Sequence, residues 1–273
     1  MTPSTLRPAA VAGLFYPAAP AVLRKTVQEL LQGAAPPAQD RPVKALIVPH
    51  AGYVYSGPIA ATAYRRLHAQ AASIRRVVLL GPAHRAPVRG LALPNWTGLQ
   101  TPLGIVPVDQ EGVAALQGLP QVVRSDPAHA AEHSLEVQLP FLQVCLGSFA
   151  VVPLAVGEAR AEQVAEVLER LWGGPETLLL ISSDLSHYLD YDTARQLDAQ
   201  TAHQILACRI PLSHDQACGA TPVNGLLLAA RRHGLVVELL DLRNSGDTAG
   251  DRARVVGYGA FALHPPQGPN SPV

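Results

Sequence analysis

The sequence contains little charge and little cysteine. Charged residues make up 15% of its 273 residues, and basic and acidic side chains balance at 21 each. Because no net charge attracts a polyanion over long range, we expect neither nucleic acid nor an anionic membrane as a partner. The three cysteines, Cys145, Cys208 and Cys218, are too few and odd in number for a disulfide framework. A low cysteine content is typical of a reducing compartment, and we expect a cytoplasmic protein.

Long apolar runs and nucleotide-binding motifs are also missing. No stretch reaches the roughly 18 apolar residues that a membrane-spanning helix needs. The opening residues, MTPSTLRPAAVAGLFYP, lack the basic region followed by an apolar region that marks a secretory signal. The chain has neither a G-x-G-x-x-G nor a P-loop sequence. We therefore expect no membrane association, and nothing local supports nucleotide binding.

Hydrophobic residues, at 48% of the chain, occur as short runs between helical patterns. Near-continuous apolar runs are typical of strands that are covered on both faces. Six runs are predicted as strands: 45–48, 76–80, 150–156, 178–181, 236–240 and 255–262. Five segments are predicted as helices, with Pro58 and Pro222 in first helical turns: 23–33, 57–68, 160–172, 192–208 and 222–233. The alternation predicts a layered α/β fold with helices on both sheet faces. We expect one domain over residues 1–264 and a disordered tail over residues 265–273.

Histidines follow three of the predicted strands. His50 lies in Pro-His-Ala-Gly-Tyr after the first strand, His84 in Gly-Pro-Ala-His after the second, and His187 in Ser-Ser-Asp-Leu-Ser-His after the fourth. In open α/β sheets, ligands bind beyond the carboxyl ends of the strands. If these strands are parallel neighbours, the three loops converge on one site. Neutral imidazoles bind divalent first-row metals well, so the pattern predicts a metal site.

A metal needs a further protein ligand, and the residues alone leave several candidates open. They are Glu132, His133, Asp184, His187 and Cys218. Cys218 comes just before a predicted helix, whose N-terminus favours a thiolate. Cys145 and Cys208 lie inside helical patterns and are interpreted as core thiols.

Two other interpretations compete for these segments. Residues 132–136 also read as a helix start, because acidic side chains in a first turn complement the helix dipole. The Ser-Ser-Asp-x-x-His run at 182–187 suggests a serine hydrolase, but the chain has no G-x-S-x-G elbow.

Together these motifs resemble one family, the Memo family. The resemblance rests on PHAGY at 49–53, LLGPAH at 79–84, EHSLEVQLPFL at 132–142, SSDLSHY at 182–188 and CG-x-x-P at 218–222. The opening AGLFYP at 12–17 and the late NSGDTAGDRARVVGYGAFA also match. The sequence most resembles the prokaryotic branch called AmmeMemoRadiSam system protein B, from about residue 7 to 264.

The resemblance implies a single-domain three-layer sandwich with a mixed central β-sheet, similar to the class III extradiol dioxygenases. It implies that His50, His84 and Cys218 are metal ligands, with the cysteine replacing the glutamate of the dioxygenase site. It also implies that His187 is the acid/base and that Asp184 and His133 line the same cleft. A further histidine that the human-type branch carries after the second ligand is replaced here by Arg85.

The resemblance implies Fe²⁺ as the metal, although a thiolate also suits Cu or Zn. We expect a redox enzyme that acts on a small organic substrate, with a radical-SAM protein as a possible partner. Two alternatives stay open. One is a copper- or iron-binding or partner-binding protein without turnover, and the other is a zinc-dependent hydrolase.

Overall fold

The computed structural model of the chain describes residues 6–36 and 41–266. Of the predicted tail, only Pro265 and Pro266 are among the described residues. The strands are β1 (Leu6–Arg7), β2 (Ala45–Val48), β3 (Arg76–Pro82), β4 (Leu91–Leu93), β5 (Gly98–Thr101), β6 (Gly104–Pro107), β7 (Val122–Arg124), β8 (Ala150–Val156), β9 (Thr177–Ser182), β10 (His187–Leu189), β11 (Val236–Asn244) and β12 (Val255–His264). The α-helices are α1 (Pro20–Gly33), α2 (Tyr53–Arg65), α3 (Gln110–Ala115), α4 (Pro127–Ala130), α5 (Leu139–Cys145), α6 (Ala161–Arg170), α7 (Tyr191–Leu206) and α8 (Ala220–Arg232).

A nine-stranded mixed sheet forms the centre of the fold. Its order is β10-β12-β2-β9-β3-β8-β4-β7, and β11 also pairs with β12. The inner strands β2, β9, β3 and β8 are all parallel. Strand β12 runs antiparallel to β2 and β11, and β4 runs antiparallel to β8. The prediction of a mixed central sheet is confirmed, and β1, β5 and β6 form a separate small sheet.

Helices cover both faces of the central sheet. Every residue of β2 and β9 is buried, which requires cover on each side of these strands. Helices α1, α2 and α5 pack on one another, α6 packs on α8, and α7 packs against β11 and β12. The predicted layered α/β architecture is therefore confirmed.

The predicted long elements are all present, with two local corrections. Helix α2 begins at Tyr53, so Pro58 lies inside the helix and not in its first turn. The helix tolerates a proline there although it loses the bond from that position to the Val54 carbonyl. Helix α7 ends at Leu206, so Cys208 lies beyond it with φ of +49°. The prediction that helix 192–208 contains Cys208 was wrong, although this thiol is buried as expected.

The N-terminal segment is anchored to the loop that precedes α5. The buried guanidinium of Arg7 donates to the Glu132 carbonyl at 2.7 Å and to the Glu136 carboxylate at 2.5 Å. The same carboxylate accepts from the hydroxyl of Tyr16 at 2.5 Å. This network holds residues 7–16 against residues 132–136, which carry part of the candidate site.

No helix in the described part of the chain is both long enough and apolar enough to cross a membrane.

Candidate metal centre

The carboxyl ends of three neighbouring parallel strands meet at one edge of the sheet. Strand β9 lies between β2 and β3. His50 follows β2, Asp184 follows β9 and His84 follows β3. These loops therefore converge, because the strands that carry them are adjacent and parallel.

Three histidines form a compact cluster at this edge. One ring nitrogen from each of His50, His84 and His133 lies within 4.8 Å of the others. The rings of His84 and His133 stack with centroids 4.8 Å apart, and the His50 ring stands edge-on to both. We call these three residues the histidine cluster. Such a spacing suits imidazoles that share one metal ion.

Hydrogen bonds determine the tautomer of His50. Its Nδ1 lies 2.9 Å from the Ser182 hydroxyl oxygen. Ser182 donates its single proton to the Ser134 carbonyl at 2.6 Å, since a carbonyl only accepts. His50 must therefore donate from Nδ1, which leaves the lone pair on Nε2. The Gln138 side chain donates to the same hydroxyl at 2.8 Å and completes its bonding.

Glu132 binds Nδ1 of His84, as Ser182 binds Nδ1 of His50. Its carboxylate accepts from Nδ1 of His84 at 3.0 Å and from the His84 backbone N–H at 2.5 Å. The carboxylate also accepts from the backbone N–H of Ser134 at 2.9 Å. Burial raises the pKa of Glu132, but these hydrogen bonds outweigh it and hold the pKa at about 2. Because an ionised carboxylate only accepts, Nδ1 of His84 carries a proton, and Nε2 is the ring nitrogen left for a metal.

The structure corrects the helix-start interpretation of residues 132–136. Glu132 and His133 precede the helical turn Glu136–Gln138, and α5 begins only at Leu139. Glu132 was one of five candidate ligands in the sequence, but its carboxylate is occupied by His84 and backbone N–H groups. The EHSLE motif pointed to Glu132 as a candidate, but the motif does not show that Glu132 pairs with His84.

His133 belongs to the histidine cluster, whereas the family resemblance placed it among the polar residues of the cleft. Within the described part of the chain, its Nδ1 is buried and makes no hydrogen bond, although Glu132 Oε1 lies 3.3 Å away. The ring of Phe15 packs against the His133 ring at 4.6 Å. A buried nitrogen without a hydrogen bond is costly unless a ligand occupies it.

Cys218 lies beside His50, immediately before the first residues of α8. Its Sγ is 3.4 Å from His50 Nε2 and 3.7 Å from the Asp184 carbonyl oxygen. Burial raises the pKa of the Cys218 thiol to about 12, and the Asp184 carboxylate raises it further. Desolvation and the nearby carboxylate therefore outweigh the influence of the helix N-terminus, which by itself favours a thiolate. In this state the thiol proton points to His50 or to the carbonyl.

Asp184 lies buried among the histidines. Its Oδ1 accepts from the His50 backbone N–H at 2.7 Å, and its Oδ2 lies 3.9 Å from His50 Nε2. Burial raises the pKa of this carboxyl, while His187, His133 and His84 act in the opposite direction. The carboxyl group of Asp184 therefore braces the His50 loop through Oδ1, and its Oδ2 lies near the His50 ring.

The cluster borders a cleft of about 1150 Å³. His84, His187 and Cys218 line the cleft, together with the apolar side chains of Val88, Leu189 and Leu197. His187 donates from Nδ1 to the Leu185 carbonyl at 2.8 Å, which leaves Nε2 as its second ring nitrogen. Tyr188, the next residue, has φ of +59°, a left-handed backbone that is uncommon for a tyrosine. Every residue predicted for the site thus lies at this cluster or along this cleft.

Two histidines of the cluster, His50 and His133, have lowered pKa values. Burial lowers the pKa of His50 to about 3, and the neighbouring His84 lowers it further. Burial likewise lowers the pKa of His133 to about 4, with a further contribution from His50. Both rings are neutral near pH 7, and the neutral imidazole is the form that binds metals.

Comparison with solved structures identifies a similar fold. An Escherichia coli K12 protein described as uncharacterized matches with a TM-score of 0.54 and 13% sequence identity. The match covers 80% of this chain and 99% of that protein. At this identity the likeness concerns the fold alone.

Sequence comparison identifies closer relatives. A family model of Memo-like proteins matches residues 7–262. A MEMO1 family protein of Methanopyrus kandleri is 38% identical, over 94% of this chain and 98% of the relative. MEMO1 family proteins of Ignicoccus hospitalis and Methanosarcina barkeri are 36% and 35% identical, over 93% and 94% of this chain and 97% and 100% of the relatives. Because both the family model and these relatives match along nearly the whole chain, the chain belongs to the Memo family.

Proposed function

We propose that the chain binds one transition-metal ion at the histidine cluster and performs metal-dependent redox chemistry on a small organic molecule in the adjoining cleft. Iron(II) is the metal that we propose. The observation that carries the proposal is the shared orientation of His50 and His84. Each ring is held by a hydrogen bond at Nδ1, so that Nε2 is the nitrogen available to a metal, and the two ring centroids lie 5.3 Å apart.

The surrounding groups fit a metal better than they fit any other use of the cluster. Metal-binding histidines commonly donate their second N–H to a carboxylate or another acceptor, as His84 does to Glu132 and His50 does to Ser182. The unbonded Nδ1 of buried His133 is explained if that ring gains a ligand. The neutral rings of His50 and His133 carry no charge near pH 7 that would repel a cation.

The surroundings of Cys218 favour a role as a metal ligand over a role as a nucleophile. Its 3.4 Å contact with His50 resembles a thiol–imidazole pair. However, a nucleophilic pair needs the thiolate and the imidazolium, and the pKa values of about 12 for Cys218 and about 3 for His50 oppose that transfer. A metal ion, by contrast, deprotonates a thiol that it binds. We therefore assign Cys218 as a ligand, as the family resemblance implies.

His187 is the proposed proton carrier of the cleft. Its Nδ1 proton is held by the Leu185 carbonyl, so its Nε2 is the atom that takes a proton from a bound molecule and later returns it. The cleft places apolar walls beside this atom, and these walls bind the substrate skeleton and exclude water. Iron(II), when bound, supplies open coordination positions and electron transfer, which no side chain of this chain provides.

Metal content of protein purified without air tests the proposal. We expect near-stoichiometric iron in the wild type and its loss in His50→Ala, His84→Ala and Cys218→Ala. His203→Ala, which removes an exposed imidazole from α7, is the matched control and should keep the metal. Retention of iron in all three site variants would refute the proposed site. Tight zinc or copper in place of iron would instead favour hydrolysis or metal handling.

A further inference from the structure

The loop after β3 and the segment after β8 form one wall of the cleft, and their backbones are joined. Arg89 and Glu158 pair there as an isolated parallel bridge. The Glu158 N–H donates to the Val88 carbonyl at 2.8 Å, and the Gly90 N–H donates to the Glu158 carbonyl at 2.8 Å. The Gly157 N–H adds a third bond, to the Gly90 carbonyl at 3.0 Å. The backbones that carry Arg89 and Glu158 are therefore held in one fixed arrangement.

Two glycines make this close approach of the backbones possible. A Cβ at Gly157 would lie 2.0 Å from the Val88 carbonyl oxygen. Gly90 has φ of +96°, and a Cβ there would lie 2.1 Å from the Gln121 carbonyl oxygen. Neither position accepts a side chain unless the backbone moves. A wall of this kind suits a binding site, because side chains on rigid elements keep their positions more precisely than side chains on mobile loops.

Arg89 and Glu158 bring opposite charges to this wall. Both residues line the cleft. Residues that pair across parallel strands lie about 5 Å apart and project to the same side. Within the part of the chain that the structure describes, these two side chains nevertheless form no ion pair, either with each other or with another residue. A guanidinium and a carboxylate therefore stand side by side and are open to a ligand.

This pair of charges complements the head group of an α-amino acid, which carries a carboxylate and an ammonium on one carbon atom. A guanidinium binds a carboxylate through two parallel N–H bonds, and a carboxylate accepts from an ammonium. A ligand with a single charge would satisfy one of the two side chains and face the like charge of the other. Val88, Leu189 and Leu197 line the same cleft and suit an aliphatic or aromatic side chain.

We propose that the cleft binds a small molecule with an α-amino acid head group, with Arg89 on its carboxylate and Glu158 on its ammonium. This inference rests on the proposed function and names the substrate class of the same cleft. The remainder of the substrate lies along the apolar wall toward His187 and His84, which also line the cleft. Arg89 and Glu158 are thus specificity-determining residues, and neither is a metal ligand.

Amino-acid titrations of the metal-free full chain, followed by NMR, test the inference. The probes are L-leucine, L-methionine and L-phenylalanine, and the backbone amide signals of Gly90 and Gly157 report binding at the bridge. Two analogues of leucine carry one charge each: 4-methylpentanoate keeps the carboxylate and 3-methylbutylamine keeps the ammonium. We expect leucine to shift both signals and each analogue to bind at least about tenfold more weakly, because it loses one charge-assisted hydrogen bond.

Single variants separate the two charges. Arg89→Gln and Glu158→Gln should each weaken leucine binding by at least about tenfold, for the same reason. Arg85→Gln changes an arginine of the same loop that does not line the cleft, and Asp215→Asn changes the other acidic residue of the cleft lining. These two variants are the matched controls, and neither should alter leucine binding.

Exchange of the two charges gives a test that a merely structural role would not pass. In the double variant Arg89→Glu with Glu158→Arg, the carboxylate and the ammonium of the ligand must exchange places. On the same wall this exchange reverses the handedness of the head group. We expect the double variant to recover the binding that either single charge reversal loses, and to prefer the enantiomer of leucine that the wild type disfavours.

Several results would overturn the inference. One is the absence of a shift at Gly90 and Gly157 with all three amino acids, and another is equally tight binding of 4-methylpentanoate and leucine. A third is weakening by Asp215→Asn in place of Glu158→Gln. All three leave the metal site untouched, and the metal content of His50→Ala tests that site separately. Arg89→Gln and Glu158→Gln should keep the metal content of the wild type.

Discussion

Metal binding through Cys218 should release a proton from this chain, and the release gives a quantitative test of the ligand. The thiol has a pKa of about 12 in the metal-free chain because it is buried beside Asp184. It is therefore protonated throughout the range from pH 6 to pH 9. The pKa values of about 3 for His50 and about 4 for His133 mean that these two rings release no proton in that range.

The expected magnitude follows from proton linkage. If one thiol proton leaves with each zinc ion bound, the apparent zinc affinity rises tenfold for each pH unit, or about 1.4 kcal/mol. Over the three units from pH 6 to pH 9 the total is about 1000-fold, or roughly 4 kcal/mol. Cys218→Ala removes this dependence. Subtracting the slope of the variant cancels whatever the imidazole ligands contribute.

Calorimetric titration with zinc in buffers of different ionisation enthalpy measures the protons released. We expect the wild type to release one more proton per zinc than Cys218→Ala at every pH between 6 and 9. Equal proton release in the two proteins would refute the reasoning, because it would mean that the thiol stays protonated and is not a zinc ligand.

Three further variants give predictions for the metal centre, the cleft and the packing of the fold. Glu132→Gln should weaken metal binding by about 10- to 100-fold, measured by competition with a chelator, because His84 loses its charged partner. Between pH 4.5 and pH 2, the free energy of unfolding of this variant should fall less than that of the wild type. Ionised Glu132, whose pKa is lowered to about 2, stabilises the wild-type fold above this range, and the stabilisation is lost as the pH falls through it. His187→Ala should keep the metal in an elemental assay and abolish turnover of any substrate that is found. Gly257→Ala should destabilise the fold by about 1–3 kcal/mol in urea unfolding, because the new Cβ would lie 2.0 Å from Asp198 Oδ2, whereas Gly147→Ala, with no atom within 4 Å, should not.

Much of the fold follows from local pattern. The apolar runs at 45–48 and 150–156 coincide with β2 and β8, because continuous burial on both faces leaves a clear signal in the residues themselves. Strands of two to four residues, such as β1, β4 and β7, are too short to show a period, and their pairing depends on distant partners. Pro58 lies inside α2 and not in a first helical turn, where proline is usual, because packing outweighs a single lost hydrogen bond.

Part of the centre was likewise determined by sequence alone. His50, His84 and Asp184 each follow a strand, and a strand followed by a histidine or acidic loop is visible without any structure. The expectation that these loops meet needed only one further fact, the parallel and adjacent order of β2, β9 and β3. Sequence alone therefore determined which residues are candidates and at which end of the sheet they belong.

Only the tertiary structure decided what each candidate does. Cys218 and His50 are 168 residues apart, yet their side chains touch. The pairing of Glu132 with His84, the entry of His133 into the cluster and the orientation of Asp184 all depend on contacts of this long-range kind. The protonation of Cys218 also depends on burial and on a neighbouring carboxylate, which outweigh the helix end that its local sequence indicates. Contacts and desolvation between distant segments exist only once the chain has folded, and for this reason the sequence identifies the donors but not their bonding.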